Sequence, residues 1–270
     1  MAIALVTGQV AVAEATSAAV TVTLPNNPTP GNLVVVLFSF NNNTTTISSI
    51  KDTAGTPNNY TQTTKSPYIN TSTFGGNDNT IGIAYLANVP VGATKSITIT
   101  LSVSQIIDLW AAEFSGAAIS PFENDATNHS STASTTINLP TYTTLNNGDL
   151  LVAVNFVSGA VSSANSPWTE ISTLPASGSG AEYTIQTSAG AQAVGWTASS
   201  STWAAIEAAF KAATTNIDGY DHIPHFIKPL SKTTRLSAAL MGGDQGIENV
   251  YVFVPPPVVP PPPDVLGFTD

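Results

Sequence analysis

The amino-acid sequence predicts an all-β protein: a jelly-roll-like antiparallel β-sandwich built from two similar strand blocks, followed by an extended proline-rich arm. Three observations support this prediction. Residues 1–212 consist of runs rich in Val, Ile, Thr and Leu that are separated by Gly, Pro, Asn and Asp, a pattern typical of many short strands and turns. The order of these runs occurs twice. Residues 213–270 differ in composition and contain a long proline run. We therefore divide the chain into a duplicated sandwich, residues 1–212, and a C-terminal extension, residues 213–270.

The strands of the first block follow from two hydrophobic patterns. Residues 18–24 alternate between apolar and polar side chains, which indicates a strand with one buried face. Residues 33–38 are continuously apolar, which favours a central strand that is covered on both faces. Further strand-like runs lie at 81–86, 96–101 and 109–114.

The second block repeats the first in a turn, a strand and two aromatic positions. The corresponding stretches are NGDLLVAV at 147–154 and PGNLVVVL at 30–37, and the corresponding aromatic residues are Tyr183 with Tyr85 and Phe210 with Phe114. A long repeat that occurs only twice indicates a duplicated unit and not a solenoid. The apolar runs favour one core shared by both blocks, with two small sandwiches as the alternative.

One segment could also form a helix. Residues 202–213, TWAAIEAAFKAA, contain Ala, Glu and Lys, which favour helix. The matching segment near Trp110 places its aromatic residues at strand spacing, so we predict a strand here as well.

The C-terminal extension predicts an arm that reaches a neighbouring molecule. A short helix at 236–241 and a strand at 250–254 precede the prolines of residues 255–263, which favour polyproline II. A disordered tail is the alternative. The candidate docking residues are Val254, Pro255, Pro260, Leu266 and Phe268.

Composition excludes several classes of function. The net charge is −10, with seven Lys and Arg residues, so the clustered basic residues that bind nucleic acid or anionic membranes are missing. The chain has no Cys, which excludes disulfides and thiolate metal sites. Only 9% of the residues are charged, against about 25% in an average soluble domain. A surface of uncharged polar groups suits extracellular, envelope or virion proteins.

The N-terminal residues lack the basic region and long apolar core of a signal peptide. We therefore expect synthesis and retention in the cytoplasm, although the composition is typical of an extracellular protein. A virion that assembles in the host cytoplasm and is released by lysis satisfies both expectations. A mature fragment of a secreted protein is the alternative, although Met1 argues against it.

The sequence offers few candidates for chemistry, and it predicts neither an enzyme nor a cofactor. The stretch DGYDHIPH at 218–225 could hold a metal but matches no strong zinc motif, so a polar turn is favoured. His129 is predicted to be a surface residue. Glu113 and Glu207 lie near equivalent ends of the two blocks and could form a glycosidase pair, although solvent-facing positions on alternating strands are favoured.

Two kinds of binding site are weaker alternatives. The loop at residues 75–79, GGNDN, offers oxygen ligands for calcium without the regular acidic spacing of a calcium loop. Exposed aromatic residues could bind a glycan. Tyr60 and Tyr68, which lie in polar loops, are the best candidates, whereas Trp168 and Trp203 are expected in the core.

The motif set resembles β-sandwich modules of tailed-bacteriophage virion proteins and bacterial surface proteins. The resembling segments are residues 20–25, 30–36, 52–60, 83–86, 91–100 and 112–116. The resemblance covers roughly residues 15–212 and departs from the pattern at an inserted Thr-Pro within 52–60. Its motifs are structural, so it implies a fold and a setting more than an activity.

The resemblance implies a virion structural protein, and first a capsid decoration or cement protein. Its partners would be a major capsid or tail protein and further copies of this chain. The alternatives are a tail or fibre module that binds a receptor or glycan, and a glycan hydrolase.

Overall fold

All regular secondary structure in the described part of the chain is β-strand. A computed structural model describes residues 2–70, 79–139, 142–144, 146–174, 178–192 and 195–213. The C-terminal extension from residue 214 onward, with the predicted helix, strand, polyproline arm and docking residues, lies outside the described residues. Within the described ranges, no helix is long and apolar enough to cross a membrane.

The first block forms a seven-stranded antiparallel sheet. Its order is β1-β7-β2-β6-β4, with β3 beside β7 and β5 beside β6. The strands are β1 (Ala4–Thr23), β2 (Leu33–Asn41), β3 (Ile47–Asp52), β4 (Thr61–Gln62), β5 (Tyr68–Asn70), β6 (Asn79–Leu86) and β7 (Ser96–Ser115).

The second block forms a six-stranded sheet with the same plan. Its order is β11-β15-β10-β13-β12, with β8 beside β15, and the short strands β9 and β14 pair separately. The strands are β8 (Ala117–Asn138), β9 (Tyr142–Thr143), β10 (Leu150–Val157), β11 (Val161–Ala164), β12 (Thr169–Leu174), β13 (Ser179–Ile185), β14 (Ala191–Gln192) and β15 (Gly195–Ala212). The central pairings β6-β2-β7 and β13-β10-β15 correspond, so the duplication predicted from the sequence is confirmed.

Each block folds back over its own sheet. In the first block, β1 and β7 pair along most of their length, with a register shift between Ser17 and Ala19. The face of β2 that points away from the second block is then covered by the C-terminal half of β1, the N-terminal half of β7 and β3. On this face, Val34 and Val36 share one buried cluster with Val20 and Ile99. The second block encloses a cluster of its own in the same way, around Leu151 and Trp196.

The opposite faces of the two central strands meet in a third core. Leu33, Val35 and Leu37 of β2 lie in one buried cluster with Val152 and Val154 of β10. Both strands are therefore covered on both faces, as their continuous apolar runs predict. The expectation of one shared core was incomplete, because a shared layer and a separate core in each block coexist.

The two blocks are related by an approximate two-fold arrangement. The ring of Phe114 meets that of Tyr183 edge-to-face at 5.5 Å, and the ring of Phe210 meets that of Tyr85 edge-to-face at 5.3 Å. Tyr85 pairs with Val35 of β2, and Tyr183 pairs with Val152 at the same place on β10. The contact is thus reciprocal, as in the isologous interface of a symmetric dimer.

The segment at residues 202–213 is a strand through Ala212, the end of β15. Its Ala-rich composition is compatible with β structure because these side chains pack in confined space between other layers. Ala204, Ala205, Ala208 and Ala209 are all buried. The prediction of a strand over a helix is confirmed.

The reciprocal aromatic contacts predict matched losses of stability. Phe114→Ala and Phe210→Ala should each lower the free energy of unfolding by about 3–5 kcal/mol, since each removes a fully buried ring. Val91→Ala is the control, because Val91 is 88% exposed. Chemical denaturation would test this. A negligible effect of either Phe substitution, with the other one large, would contradict the reciprocal arrangement.

Candidate functional site

Tyr60 does not occupy the exposed position predicted for a glycan contact. It is 6% exposed and packs in the first block's own core. Burial, together with the charges of Asp52 and Glu113, raises the pKa of its hydroxyl far above the ordinary value. The prediction of exposure failed because the Tyr60 backbone N–H donates to the Ile50 carbonyl of β3 at 2.8 Å. This pairing places the ring in the core, although most of the preceding loop is exposed.

Tyr68 retains partial exposure and lies beside His129 at the junction of the two blocks. The Tyr68 hydroxyl and His129 Nδ1 are 2.8 Å apart, and the two ring centroids are 6.4 Å apart. His129 is exposed, as predicted. Trp168 and Trp203 are buried, also as expected.

Glu113 has a structural role in the first block. Its carboxylate accepts hydrogen bonds from the Gln9 side-chain amide at 2.7 Å, the Thr29 backbone N–H at 2.8 Å and the Asn32 side-chain amide at 2.6 Å. These bonds fasten β1 and the turn before β2 to the end of β7. Three donors compensate the burial of this charge, so the carboxylate is not available as an open catalytic group.

The second block fastens the corresponding turn with different residues. Asp149 takes the place of Asn32, and it accepts bonds from the backbone N–H groups of Ala212 at 2.8 Å and Asn146 at 3.0 Å. The preceding residues, Gly31 and Gly148, have φ values of 89° and 83°, a region that favours glycine. The repeated sequences PGN and NGD are therefore equivalent turns.

Glu113 and Glu207 are not equivalent, which corrects the prediction from the sequence. Glu113 pairs with Val34 of β2, and the counterpart of Val34 in β10 is Leu151. Glu207 pairs with Ala153, which lies two residues beyond Leu151. The counterpart of Glu207 in the first block is Ala111. Both glutamates are buried, so the expectation of solvent-facing positions is also wrong.

Glu207 instead belongs to a buried acidic row in the second block. Across three neighbouring strands, Ala153 of β10 pairs with Glu182 of β13 on one side and with Glu207 of β15 on the other. The two side chains lie on the inner face of the second block, which is the face of its sheet that points away from the first block. Glu182 is 0% exposed and Glu207 is 1% exposed. None of their four oxygens has a hydrogen-bond partner among the described residues.

The environment strongly disfavours charge on these two groups. Burial raises the pKa of Glu182 to about 9, with added repulsion from Glu170 and Glu207, against a smaller opposing influence of the Gly195 backbone N–H. That N–H does not reach hydrogen-bonding geometry with either oxygen. Burial also raises the pKa of Glu207 to about 8, although the exposed Lys65 acts in the other direction.

Asn155 adjoins the same row and is also unpartnered. It is fully buried, two residues after Ala153 on the same face of β10. Neither its amide oxygen nor its amide nitrogen has a partner in the described part of the chain. A buried amide without partners costs about 1–3 kcal/mol, so Asn155 lowers the stability of the fold unless something binds it.

The first block shows what the same positions look like in an ordinary core. The register places Ala84, Ala111 and Phe38 where the second block has Glu182, Glu207 and Asn155. All three residues of the first block are buried in an apolar cluster. The acidic cluster (Glu182, Glu207 and Asn155) is thus a specific difference between two otherwise similar interiors.

The sequence offered two weak candidates for a metal site and favoured neither. The stretch at 218–225 lies outside the described residues, as does the loop at 75–79 except for Asn79. In the described ranges, no group of three or more His, Asp or Glu side chains forms a possible metal site.

The chain matches no protein-family model, and it matches no curated protein.

Sequence reasoning missed Glu182 and Asn155, although the repeat contained a signal for Glu182. Aligning SGAEYTI with TIGIAYL by their tyrosines places Glu182 opposite Ala84. A strand covered on both faces buries its alternate residues as well. An acidic residue at such a position is therefore expected to be buried.

The raised pKa values predict that stability falls with increasing pH. The unfolded chain releases the Glu182 and Glu207 protons near the ordinary value of 4.5. The folded chain retains them until the pH reaches about 8 for Glu207 and about 9 for Glu182. The folded state therefore binds more protons in this window, and the free energy of unfolding declines as the pH rises through it.

Unfolding in denaturant at about pH 5 and about pH 8.5, with a chelator present, would measure this decline. The double variant Glu182→Gln/Glu207→Gln should remove most of it. Glu113→Gln is the control: it should lower stability at both pH values because it weakens a three-donor site, and it should leave the decline unchanged. An unchanged pH dependence in the double variant would contradict the assignment.

Proposed function

We propose that the protein is a structural component of tailed-bacteriophage virions, and within that class a capsid decoration protein that docks on neighbouring subunits. The motif resemblance of residues 15–212 to virion β-sandwich modules supports this proposal. The weakly charged composition supports it too, because uncharged polar surfaces respond little to salt and pH.

Two long strand edges are the observation that carries the proposal. β1 has 20 residues and β8 has 22. Among the described residues, β1 pairs only with β7, and β8 pairs only with β15. An edge strand presents unpaired backbone N–H and C=O groups that can add a strand from another chain. β1 has a single charged residue, Glu14, so little charge opposes such pairing.

Many weak contacts are sufficient for a shell protein. When numerous copies are held on one particle, each additional contact is effectively intramolecular, and the overall avidity exceeds the affinity of any single contact. Two equivalent edges on one subunit, together with a C-terminal arm, would allow one copy to engage more than one neighbour.

A tail or fibre module that binds a glycan is the second candidate. The partly exposed Tyr68 ring next to His129 favours it, because aromatic rings with a polar edge suit sugar recognition. The copy number per particle separates the two candidates: a shell component is abundant, and a fibre component is rare. No comparable observation favours a glycan hydrolase, since Glu113 is engaged by three donors.

Charges placed on the edges should weaken self-association. We expect Val12→Lys in β1 combined with Thr132→Lys in β8 to reduce it by about tenfold or more, because lysine on an edge strand opposes further pairing. Val91→Lys, at an exposed turn, is the control for added charge. Sedimentation velocity would measure the change. Equal association of both variants would show that the edges are not the contact.

Removal of the arm gives an independent test. A chain that lacks residues 254–270 should remain folded, as measured by circular dichroism, and should no longer assemble on particles or with itself. Normal assembly of the shortened chain would contradict the docking role of residues 254–270 and leave the strand edges as the contact.

A further inference from the structure

The interior of the second block contains five oxygen atoms that have no partner among the described residues. Four belong to the carboxyl groups of Glu182 and Glu207, and the fifth is the amide oxygen of Asn155. All three side chains lie on the same face of the sheet. Buried oxygen atoms in such a group need protons, water or a cation to offset the loss of hydration.

We propose that the acidic cluster binds a calcium ion inside the second block. This inference is independent of the proposed virion role. Calcium is coordinated in proteins by six to eight oxygen atoms, and carboxylates and side-chain amides are common donors. Two carboxylates would match the charge of the ion, and water or backbone carbonyls would complete its coordination.

The register makes convergence of the two carboxylates feasible. Glu182 and Glu207 flank Ala153, so their Cα atoms are two strand spacings apart, roughly 10 Å. The methyl group of Ala153 is the only side chain that stands between them in this row. Both glutamates can lean over it, and an ion with Ca–O distances of about 2.3–2.6 Å can bridge them.

Asn155 is the second observation that points to a ligand. In the first block its counterpart is Phe38, whose ring lies over Gly82 so closely that an added Cβ there would come within 2.3 Å of it. In the second block, Asn155 is opposite Gly180. An amide has therefore replaced the ring at the position next to the two carboxylates, where it supplies an oxygen in place of apolar packing.

The chemistry of the cluster selects among cations. It has only oxygen donors, whereas zinc prefers His and Cys. Magnesium requires near-ideal octahedral geometry and gives up its water reluctantly, which disfavours a closed interior. The exposed Glu170, which pairs with Glu182 across β12 and β13, adds negative charge at the near edge of the sheet. The ammonium of Lys65 is exposed and does not hydrogen bond to Glu207.

Terbium luminescence would test the site in the full-length chain. Terbium replaces calcium at oxygen sites and is excited through nearby tryptophans, and Trp196 and Trp203 lie in the same buried cluster as Ala153. After treatment with a chelator, we expect a saturable signal at one ion per chain. Calcium should displace terbium, and magnesium at the same concentration should not.

Three variants make the test specific. Glu182→Gln/Glu207→Gln should abolish the signal, and Asn155→Ala should weaken binding by about tenfold or more. Glu113→Gln, in the first block, should leave it unchanged. Circular dichroism would establish that each variant is folded, and calcium should raise the melting temperature of the natural chain but not that of the double variant.

Several results would overturn the proposal. These are the absence of any calcium-dependent change in the natural chain, retention of the full terbium signal in the double variant, or equal displacement by magnesium. A double variant that is more stable than the natural chain even with calcium present would indicate a pair of neutral, protonated acids. None of these results depends on assembly, so they are distinguishable from a failure of the virion role.

Discussion

Two edge-to-face contacts between aromatic rings, Phe114 with Tyr183 and Phe210 with Tyr85, mark the apolar layer on which the structure depends. Because the contact is reciprocal, each block presents the same face to the other. That face is largely apolar in both copies, and the central strands are buried on both sides, since each block also closes over its own sheet. Polar groups within the layer can satisfy each other, as the buried Ser39 and Ser179 hydroxyls do at 2.7 Å.

The inner faces show how differently a buried acid can be treated. Glu113 is surrounded by three donors and stabilises the turn that leads into β2. Glu182 and Glu207 have no donor among the described residues, and burial is the main cause of their raised pKa values. A buried carboxyl group without compensation destabilises a fold, and the first block demonstrates that Ala serves at these positions. The requirements of folding therefore do not account for the two acids, whereas the proposed calcium ion would.

Local patterns in the sequence were sufficient to predict the fold. The candidate site could not be predicted in the same way, because its residues depend on strand register and on contacts distant in the chain. The continuous apolar runs of β2 and β10 identified the central strands correctly, because burial on both faces leaves a signal that needs no register. The equivalence of Glu113 and Glu207 failed because it depended on register, and a two-residue offset preserves the face while changing the neighbours. Tyr60 was placed wrongly for another reason: its loop is polar in sequence and mostly exposed, but Tyr60 itself pairs with β3 and its ring enters the core.

The approximate two-fold arrangement also limits how subunits could associate through their edges. β8 lies beside the β4–β5 side of the first block, where Asp125 accepts a bond from Thr64 at 2.6 Å, and β1 is the opposite edge of that block's sheet. Within the described residues, the two edge strands are thus equivalent strands at opposite sides of one molecule. Pairing of β1 with β8 of a second copy would be head-to-tail, and it would leave one edge of each partner open. Such contacts close into rings or extend without limit. A decoration protein that used them would need the underlying shell to fix its number and spacing, and each contact between copies could then be weak.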